Sequence, residues 1–198
     1  MKRTATAAAL VGAGLGLASC ASSPPTQFYS LSAVSAESAV PRSEAASEPA
    51  RVRVAAVHIP PVLDRREIVR RGPGDRLQVS GEHRWGAPFD EMVQHVLTAD
   101  LLERLPAGEV VMPSAPSPSG TDSIVVDLLQ FQADAGGTLV LQGSWSLIAP
   151  EQETPALVRD FRYEDATSAQ DYGAEAAAMS RLLGRLADDI AKEVVARH

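Results

Sequence analysis

The side chains that most often carry catalysis or bind metal ions are few in this chain. It has one cysteine and four histidines, and no two histidines have the H-x-x-x-H spacing that puts both imidazoles on one face of a zinc-protease helix. A single cysteine excludes an intramolecular disulfide and a multi-cysteine zinc site. The G-x-S-x-G turn that exposes a serine nucleophile is absent. The sequence therefore predicts a protein that is not an enzyme, with no metal site and no cofactor.

The one cysteine has a sequence context that gives it a specific chemistry. Residues 1–3 (MKR) are a short basic start, and residues 4–17 are small or apolar and uncharged, which is the layout of a bacterial secretory signal. The signal ends in LASC at residues 17–20, an order similar to that of a lipobox. At a lipobox the cysteine thiol receives a diacylglycerol, the chain is cut before the cysteine, and the new amine is acylated. We therefore expect a signal peptide at 1–19 and diacylglycerol and N-acyl chains on Cys20.

The predicted anchor also indicates a location. Each buried methylene contributes roughly 0.8 kcal/mol, so three acyl chains should hold the protein at a membrane permanently. The residue after the cysteine is Ala21 rather than aspartate, and by resemblance to the enterobacterial sorting rule this predicts the periplasmic face of the outer membrane. The competing interpretation is a free cysteine beside an ordinary cleavage site. The position and the flanks of Cys20 favour the anchor.

Composition limits the remaining possibilities. The chain has 198 residues, a net charge of −7 and a sequence pI near 5.1, a poor balance for a nucleic-acid partner. We expect a lipidated tether at 20–26 and one domain at 27–198. Residues 36–50 lack aromatic residues and contain few aliphatic ones, which predicts a flexible insert.

Hydrophobic spacing predicts the elements of that domain. The turn signals at 72–75 and 134–137 separate runs with strand character. Apolar residues recur with helical spacing after Pro88 and again from about Asp171. The predicted fold class is α/β in the α+β sense, a mixed, mostly antiparallel sheet with two helices packed on one face. The predicted strands cover 27–31, 52–59, 67–71, 76–80, 124–132, 138–148 and 156–163.

The segment 60–71 (PPVLDRREIVRR) is a basic island on this acidic chain. The segment contains four arginines and only two acidic residues, Asp64 and Glu67. One interpretation is surface ion pairing, which contributes little. The other is a docking surface, where arginine is favoured. Trp85, directly before the first helix, is open to a similar pair of interpretations: it seals the core or lines a groove for a partner.

The order of these segments resembles a known family. A lipobox is followed by F-Y-x-L, a V-x-V strand, I-P, an L-D-R-x-x-I-V-x-R segment and a W-x-x-P-F helix start. In this order they are similar to the ABC-type transport auxiliary lipoprotein family, over essentially the whole mature chain. The matching residues are 28–31, 52–54, 59–60, 63–71 and 85–89.

The resemblance implies a function. It implies a non-enzymatic, outer-membrane accessory subunit of an MCE-type intermembrane lipid-transport system, which docks the periplasmic MCE-domain tunnel protein to the outer membrane. It is compatible with a homo-oligomeric ring. One alternative is an assembly or pilot lipoprotein for another outer-membrane machine. Another is a periplasmic hydrolase or ligand-binding module, which would need a polar catalytic cluster that the sequence does not show. The residues expected to contact the partner are Asp64, Arg65, Arg70, Arg71 and Trp85.

Overall fold

Two long helices and seven strands make up the part of the chain that the structure describes. This computed structural model describes residues 24–36, 51–168 and 171–197. The predicted signal peptide, Cys20 and residues 37–50 of the predicted insert lie outside these ranges. In chain order the elements are β1 (Gln27–Tyr29), β2 (Val52–His58), β3 (Glu67–Arg71), β4 (Leu77–Trp85), α1 (Phe89–Arg104), β5 (Asp122–Ala133), β6 (Thr138–Ile148), β7 (Leu157–Ala166) and α2 (Tyr172–Arg197).

The strands form two sheets. Four are ordered β2-β5-β6-β7, in which β5, β6 and β7 are antiparallel neighbours and β2 lies parallel to β5. Three are ordered β1-β4-β3, with an antiparallel β3–β4 hairpin and with β1 parallel to β4. An isolated bridge between Arg71 and Asp134 connects the sheets. The predicted α+β class with mostly antiparallel pairing is confirmed.

The division into two sheets is a detail that the sequence pattern did not indicate. Pro60 and Pro61 follow β2 after one residue, Ile59, and proline cannot continue a hydrogen-bonded ladder. The chain therefore leaves the four-stranded sheet, turns at 60–66 and starts a separate hairpin with β3. The third strand of this sheet is β1, which pairs with β4 and precedes β2 in the chain.

Both helices lie where their apolar stripes predict. α1 follows Pro88 and carries Asp90 and Glu91 in its first turn, where negative charge suits the helix dipole. It packs against α2 and β2, while α2 also contacts β6 and β7. Their buried faces join the inner faces of the sheets in one continuous hydrophobic core. Its fully buried large side chains include Leu97, Leu101, Phe131, Trp145, Leu182 and Leu183.

One glycine is required where two strands approach closely. Gly143 in β6 lies opposite Leu128, beside a β-bulge in β5. A Cβ atom at Gly143 would clash with the backbone carbonyl oxygen of Asp127. Glycine therefore lets β5 and β6 remain paired beside the bulge.

The three-stranded sheet presents different segments at its two ends. The β3–β4 turn, residues 72–76, lies at one end, which we call the hairpin end. The turn 60–66 lies at the opposite end, where the Trp85 N–H donates to the Arg66 carbonyl at 2.7 Å. β1 runs parallel to β4, with Gln27 beside His83. The chain before β1 is therefore directed toward the hairpin end, although β1 itself pairs with the last three residues of β4, beside the turn 60–66.

Candidate functional site

The arginine-rich segment 60–71 is divided between an exposed turn and a buried strand. In the turn, the Leu63 N–H donates to the Pro60 carbonyl at 2.8 Å. The Leu63 side chain is buried and fixes the turn to the core, and two consecutive prolines limit its backbone freedom. The result is a firmly held loop. Its exposed charged side chains are those of Asp64, Arg65 and Arg66.

Arg70, by contrast, lies in the protein interior. Its Nε donates to Glu175 Oε2 at 2.6 Å, and both side chains are at most 7% exposed. The Arg70 guanidinium also lies 3.7 Å from the ring centroid of Tyr172, a cation–π contact. Burial raises the pKa of the Glu175 carboxyl, and the Arg70 charge offsets part of that rise. Arg70 therefore fastens β3 to the start of α2.

Aromatic rings extend this contact to the N-terminal strand. The other ring neighbour of Tyr172 is His83, stacked at 4.0 Å between centroids and 17° between planes. His83 Nδ1 is hydrogen-bonded to the Tyr29 hydroxyl at 2.9 Å. Burial and the Asp171 carboxylate raise the pKa of Tyr29, so the phenol stays protonated at neutral pH. We call Tyr29, Arg70, His83, Tyr172 and Glu175 the clamp; it links β1, β3, β4 and α2.

Trp85 is also an interior residue. It is 4% exposed and stacks on Phe89 at a centroid distance of 5.0 Å. Phe89 in turn lies 5.7 Å from the ring of Phe131 in β5. These three rings connect the end of β4 to the start of α1 and to the four-stranded sheet. Trp85 thus seals the core, as the first of its two interpretations expects.

The five predicted contact residues therefore lie in three places. Asp64 and Arg65 are exposed together on the turn at the opposite end. Arg71 is exposed at the hairpin end. Arg70 and Trp85, at 6% and 4% exposure, offer a partner little surface in this conformation. Contact with a partner stays a prediction for all five.

A second polar cluster holds the segment that follows β1. The Val34 N–H donates to Asp100 Oδ1 at 2.7 Å, and Arg104 Nη1 donates to the Val34 carbonyl at 3.1 Å. Arg104 Nε also donates to Asp188 Oδ1 at 2.6 Å. Because Gly184 has no side chain, the Arg104 guanidinium and Val34 can pack against its backbone. The N-terminal segment is thus tied to both helices.

Asp100 has an altered acidity in this cluster. The side chain is fully buried, and burial raises the pKa of its carboxyl to about 6, against the Val34 hydrogen bond and the Arg104 charge, which lower it. Among the described residues, its Oδ2 atom has no hydrogen-bond partner. Proton binding to Asp100 is therefore linked to folding.

Other chemistry-bearing side chains are dispersed. His58 Nδ1 lies 2.7 Å from Asp127 Oδ1, and both side chains are more than half exposed. A cavity of about 380 Å³ beside Val34 is lined by charged groups of β7 and α2, where Arg181 pairs with Asp165 at 2.8 Å.

Within the described ranges, no three His, Cys, Asp or Glu side chains are grouped to hold a metal ion. No helix in those ranges combines the length and hydropathy needed to cross a membrane.

Comparison with known proteins assigns the chain to a family. The family model described as ABC-type transport auxiliary lipoprotein component matches residues 29–191. The chain belongs to the ABC-type transport auxiliary lipoprotein family. Membership makes it an accessory lipoprotein of a transport system, and so a membrane-associated protein. The resemblance inferred from the ordered motifs is confirmed.

Individual relatives agree with this assignment. The intermembrane transport lipoproteins PqiC of Escherichia coli (strain K12) and of Shigella flexneri are each 24% identical to the chain over 183 residues, 92% of the chain and 94% of the relative. The crystal structure of an uncharacterized protein superposes with a TM-score of 0.69 at 20% identity, covering 86% of this chain and 99% of the other. The crystal structure of protein XCC0632 from Xanthomonas campestris superposes with a TM-score of 0.66 at 17% identity, covering 86% of this chain and 95% of the other. These two structures support the fold.

Substitutions in the clamp test the structural role of Arg70. Removing one partner of a buried ion pair leaves an uncompensated charge, so Arg70→Met and Glu175→Leu should each lower the free energy of unfolding by about 3 to 5 kcal/mol. The double variant should recover much of that loss, because no buried charge remains. The matched substitution at an exposed position, Arg65→Met, should lower the free energy of unfolding by no more than about 0.5 kcal/mol. Urea denaturation measures all four; equal effects of Arg65→Met and Arg70→Met would contradict the clamp.

Asp100 gives a pH dependence with a definite sign. Its folded pKa of about 6 exceeds the ordinary value of 3.8, so the folded state binds more protons than the unfolded state between these values. The contribution of Asp100 to stability should therefore fall by roughly 2 to 3 kcal/mol as the pH rises from about 4 to about 6. Asp100→Asn should remove this contribution from the stability–pH curve. Parallel wild-type and variant curves in that range would contradict the assignment.

Proposed function

We propose that this chain is a lipid-anchored, non-enzymatic accessory subunit of an MCE-type intermembrane lipid-transport system. Acyl chains on Cys20 hold it at the periplasmic face of the outer membrane, and its folded domain docks the MCE-domain tunnel protein. Family membership and the likeness to intermembrane transport lipoproteins support this proposal. The signal that ends in LASC supports the anchor.

The observation that carries the docking step is the position of the turn 60–66. Because β1 is parallel to β4, the chain before β1 is directed toward the hairpin end. The turn lies at the opposite end, so when the tether continues in that direction the turn points away from the membrane, toward a partner that arrives across the periplasm. Leu63 and the two prolines hold this turn before binding, which reduces the entropy lost on contact.

The residue types of the turn suit a protein partner. Arg65 and Arg66 are exposed beside Asp64, and the ion pairs of the described residues involve none of the three. Arginine offers a planar fork of donors for carboxylates and stacks on aromatic rings, and it is enriched where interfaces concentrate binding energy. The turn is thus the part of the arginine-rich segment that is available to a partner.

Charge reversal tests the docking turn. The double variant Arg65→Glu/Arg66→Glu should recover at least about tenfold less MCE-domain protein after in-cell crosslinking and affinity capture, since one decade corresponds to only about 1.4 kcal/mol. The control Arg159→Glu/Arg162→Glu changes two exposed arginines of β7 and should capture as the wild type does. All three proteins should keep their melting temperature within the spread of surface substitutions.

Two outcomes would contradict this proposal. Equal recovery of the MCE-domain protein by the wild type and the turn variant would reject the turn as the interface. Recovery of a secretin or a barrel protein with no MCE-domain protein would reject the transport system and favour the pilot lipoprotein.

Fractionation tests the anchor separately. Cys20→Ala removes the thiol that would carry diacylglycerol, so the protein should leave the membranes after a salt wash and appear in the soluble periplasmic fraction. The matched variant Ala21→Asp keeps the cysteine and should remain lipidated but move to the inner membrane. Density-gradient separation of the two membranes measures both. Cys20→Ala protein that stays with the outer membrane after the wash would contradict the anchor.

A further inference from the structure

The tip of the β3–β4 hairpin combines exposed apolar side chains with cations. Leu77 is 51% exposed and Val79 is 45% exposed, although both belong to a strand. Arg71 and Arg76 are exposed beside them, and the ion pairs of the described residues involve neither guanidinium. We call residues 71–79 the hairpin tip. Apolar side chains flanked by arginines suit the boundary between the headgroups and the acyl chains of a bilayer.

The predicted anchor can bring this tip to a membrane. Cys20 precedes Gln27 by seven residues, which reach at most about 25 Å when fully extended. Gln27 pairs with His83, and β4 extends from there toward Leu77 over about 20 Å at the rise of an antiparallel strand. The tether is therefore just long enough for the lipid on Cys20 to lie level with the hairpin tip.

We propose that the hairpin tip rests on the phospholipid surface that holds the Cys20 lipid. Leu77 and Val79 enter the headgroup layer, and the guanidinium groups of Arg71 and Arg76 contact lipid phosphates. This inference rests on the proposed lipid anchor. Because a short tether confines the tip to the membrane surface, a contact that is weak in free solution is populated on the anchored protein.

Acidic side chains at the same end limit how much of this contact is electrostatic. Asp134 Oδ1 accepts the N–H groups of Gly136 and Thr138 in its own turn. Asp75 belongs to the tip itself. The negative charge of both residues opposes an anionic surface. The contact should therefore depend on Leu77 as well as on the two arginines.

A consequence is that the domain stands on the membrane with one orientation. A tether alone allows the domain to tumble about its anchor, whereas a second contact at the hairpin tip fixes the long direction of the hairpin relative to the bilayer. The turn 60–66 is then held on the side away from the membrane.

Fluorescence quenching can test this orientation on the full lipidated protein. Cys20 is the one cysteine and lipidation consumes its thiol, so a cysteine introduced at an exposed site can be labelled alone. Gln78→Cys places a fluorophore on the hairpin tip, and Asp64→Cys places it at the opposite end. The proteins are reconstituted in vesicles of phosphatidylcholine and phosphatidylglycerol that contain a lipid with a nitroxide at headgroup level. We expect strong quenching at position 78 and little at position 64.

A tip variant provides the control. Arg71→Gln/Arg76→Gln/Leu77→Ser in the Gln78→Cys background should reduce the quenching at position 78 to the level at position 64, with an unchanged melting temperature. Vesicle flotation reports the anchor independently. Protein that floats without preferential quenching at position 78 would overturn the orientation alone, and would leave the tip as a surface for a protein partner. Protein that does not float would overturn both the anchor and the contact that rests on it.

Discussion

The ion pair between Arg70 and Glu175 is the interaction on which the arrangement of this molecule depends. Arg70 and Glu175 are separated by 105 positions in the chain, and within the described residues the two sheets share one isolated backbone bridge. The 2.6 Å contact, with the Tyr172 ring against the guanidinium, therefore sets, together with the buried side chains of Ile68 and Val69, how the hairpin sits on the rest of the fold. A buried ion pair gives little net stability compared with apolar residues of the same size, but it disfavours every arrangement in which only one of its charges is buried. The pair thus specifies one position for the hairpin more than it strengthens the core.

The same interaction gives the N-terminal strand a defined path. Tyr29 reaches the clamp through His83, and five residues later Val34 is held by Asp100 and Arg104 on α1. A three-residue strand at a sheet edge is weak by itself, so these polar contacts and the buried Leu31 side chain hold residues 27–36 against the helices. For a protein suspended from a lipid near its N-terminus, a pull on the anchor would be transmitted into the core and not only to one strand pairing.

The sequence predicted the elements better than it predicted their connections. Apolar periodicity and the turn signals at 72–75 and 134–137 were sufficient for the two helices and the antiparallel meander, because these features depend on neighbours close in the chain. The partition into two sheets depends on the parallel pairings of β1 with β4 and of β2 with β5, which no local pattern encodes. Arg70 shows the same limit at the level of one residue. Its neighbour Arg71 is the same residue type and exposed, and the burial of Arg70 depends on a glutamate on the last helix that composition alone cannot pair with it.

The separation of roles within the arginine-rich segment follows from strand geometry. Side chains of a strand alternate between its faces, so a run such as REIVRR cannot present all its arginines to one partner. Arg70 is directed to α2 while its neighbour Arg71 is exposed at the hairpin end, and the arginines of the turn are exposed at the opposite end. One basic stretch therefore supplies an internal fastening and two separate surfaces. Because Arg70 holds the hairpin on α2, the geometry that links the two exposed surfaces depends on the buried arginine between them, and a change at Arg70 can disturb either surface without taking part in its contacts.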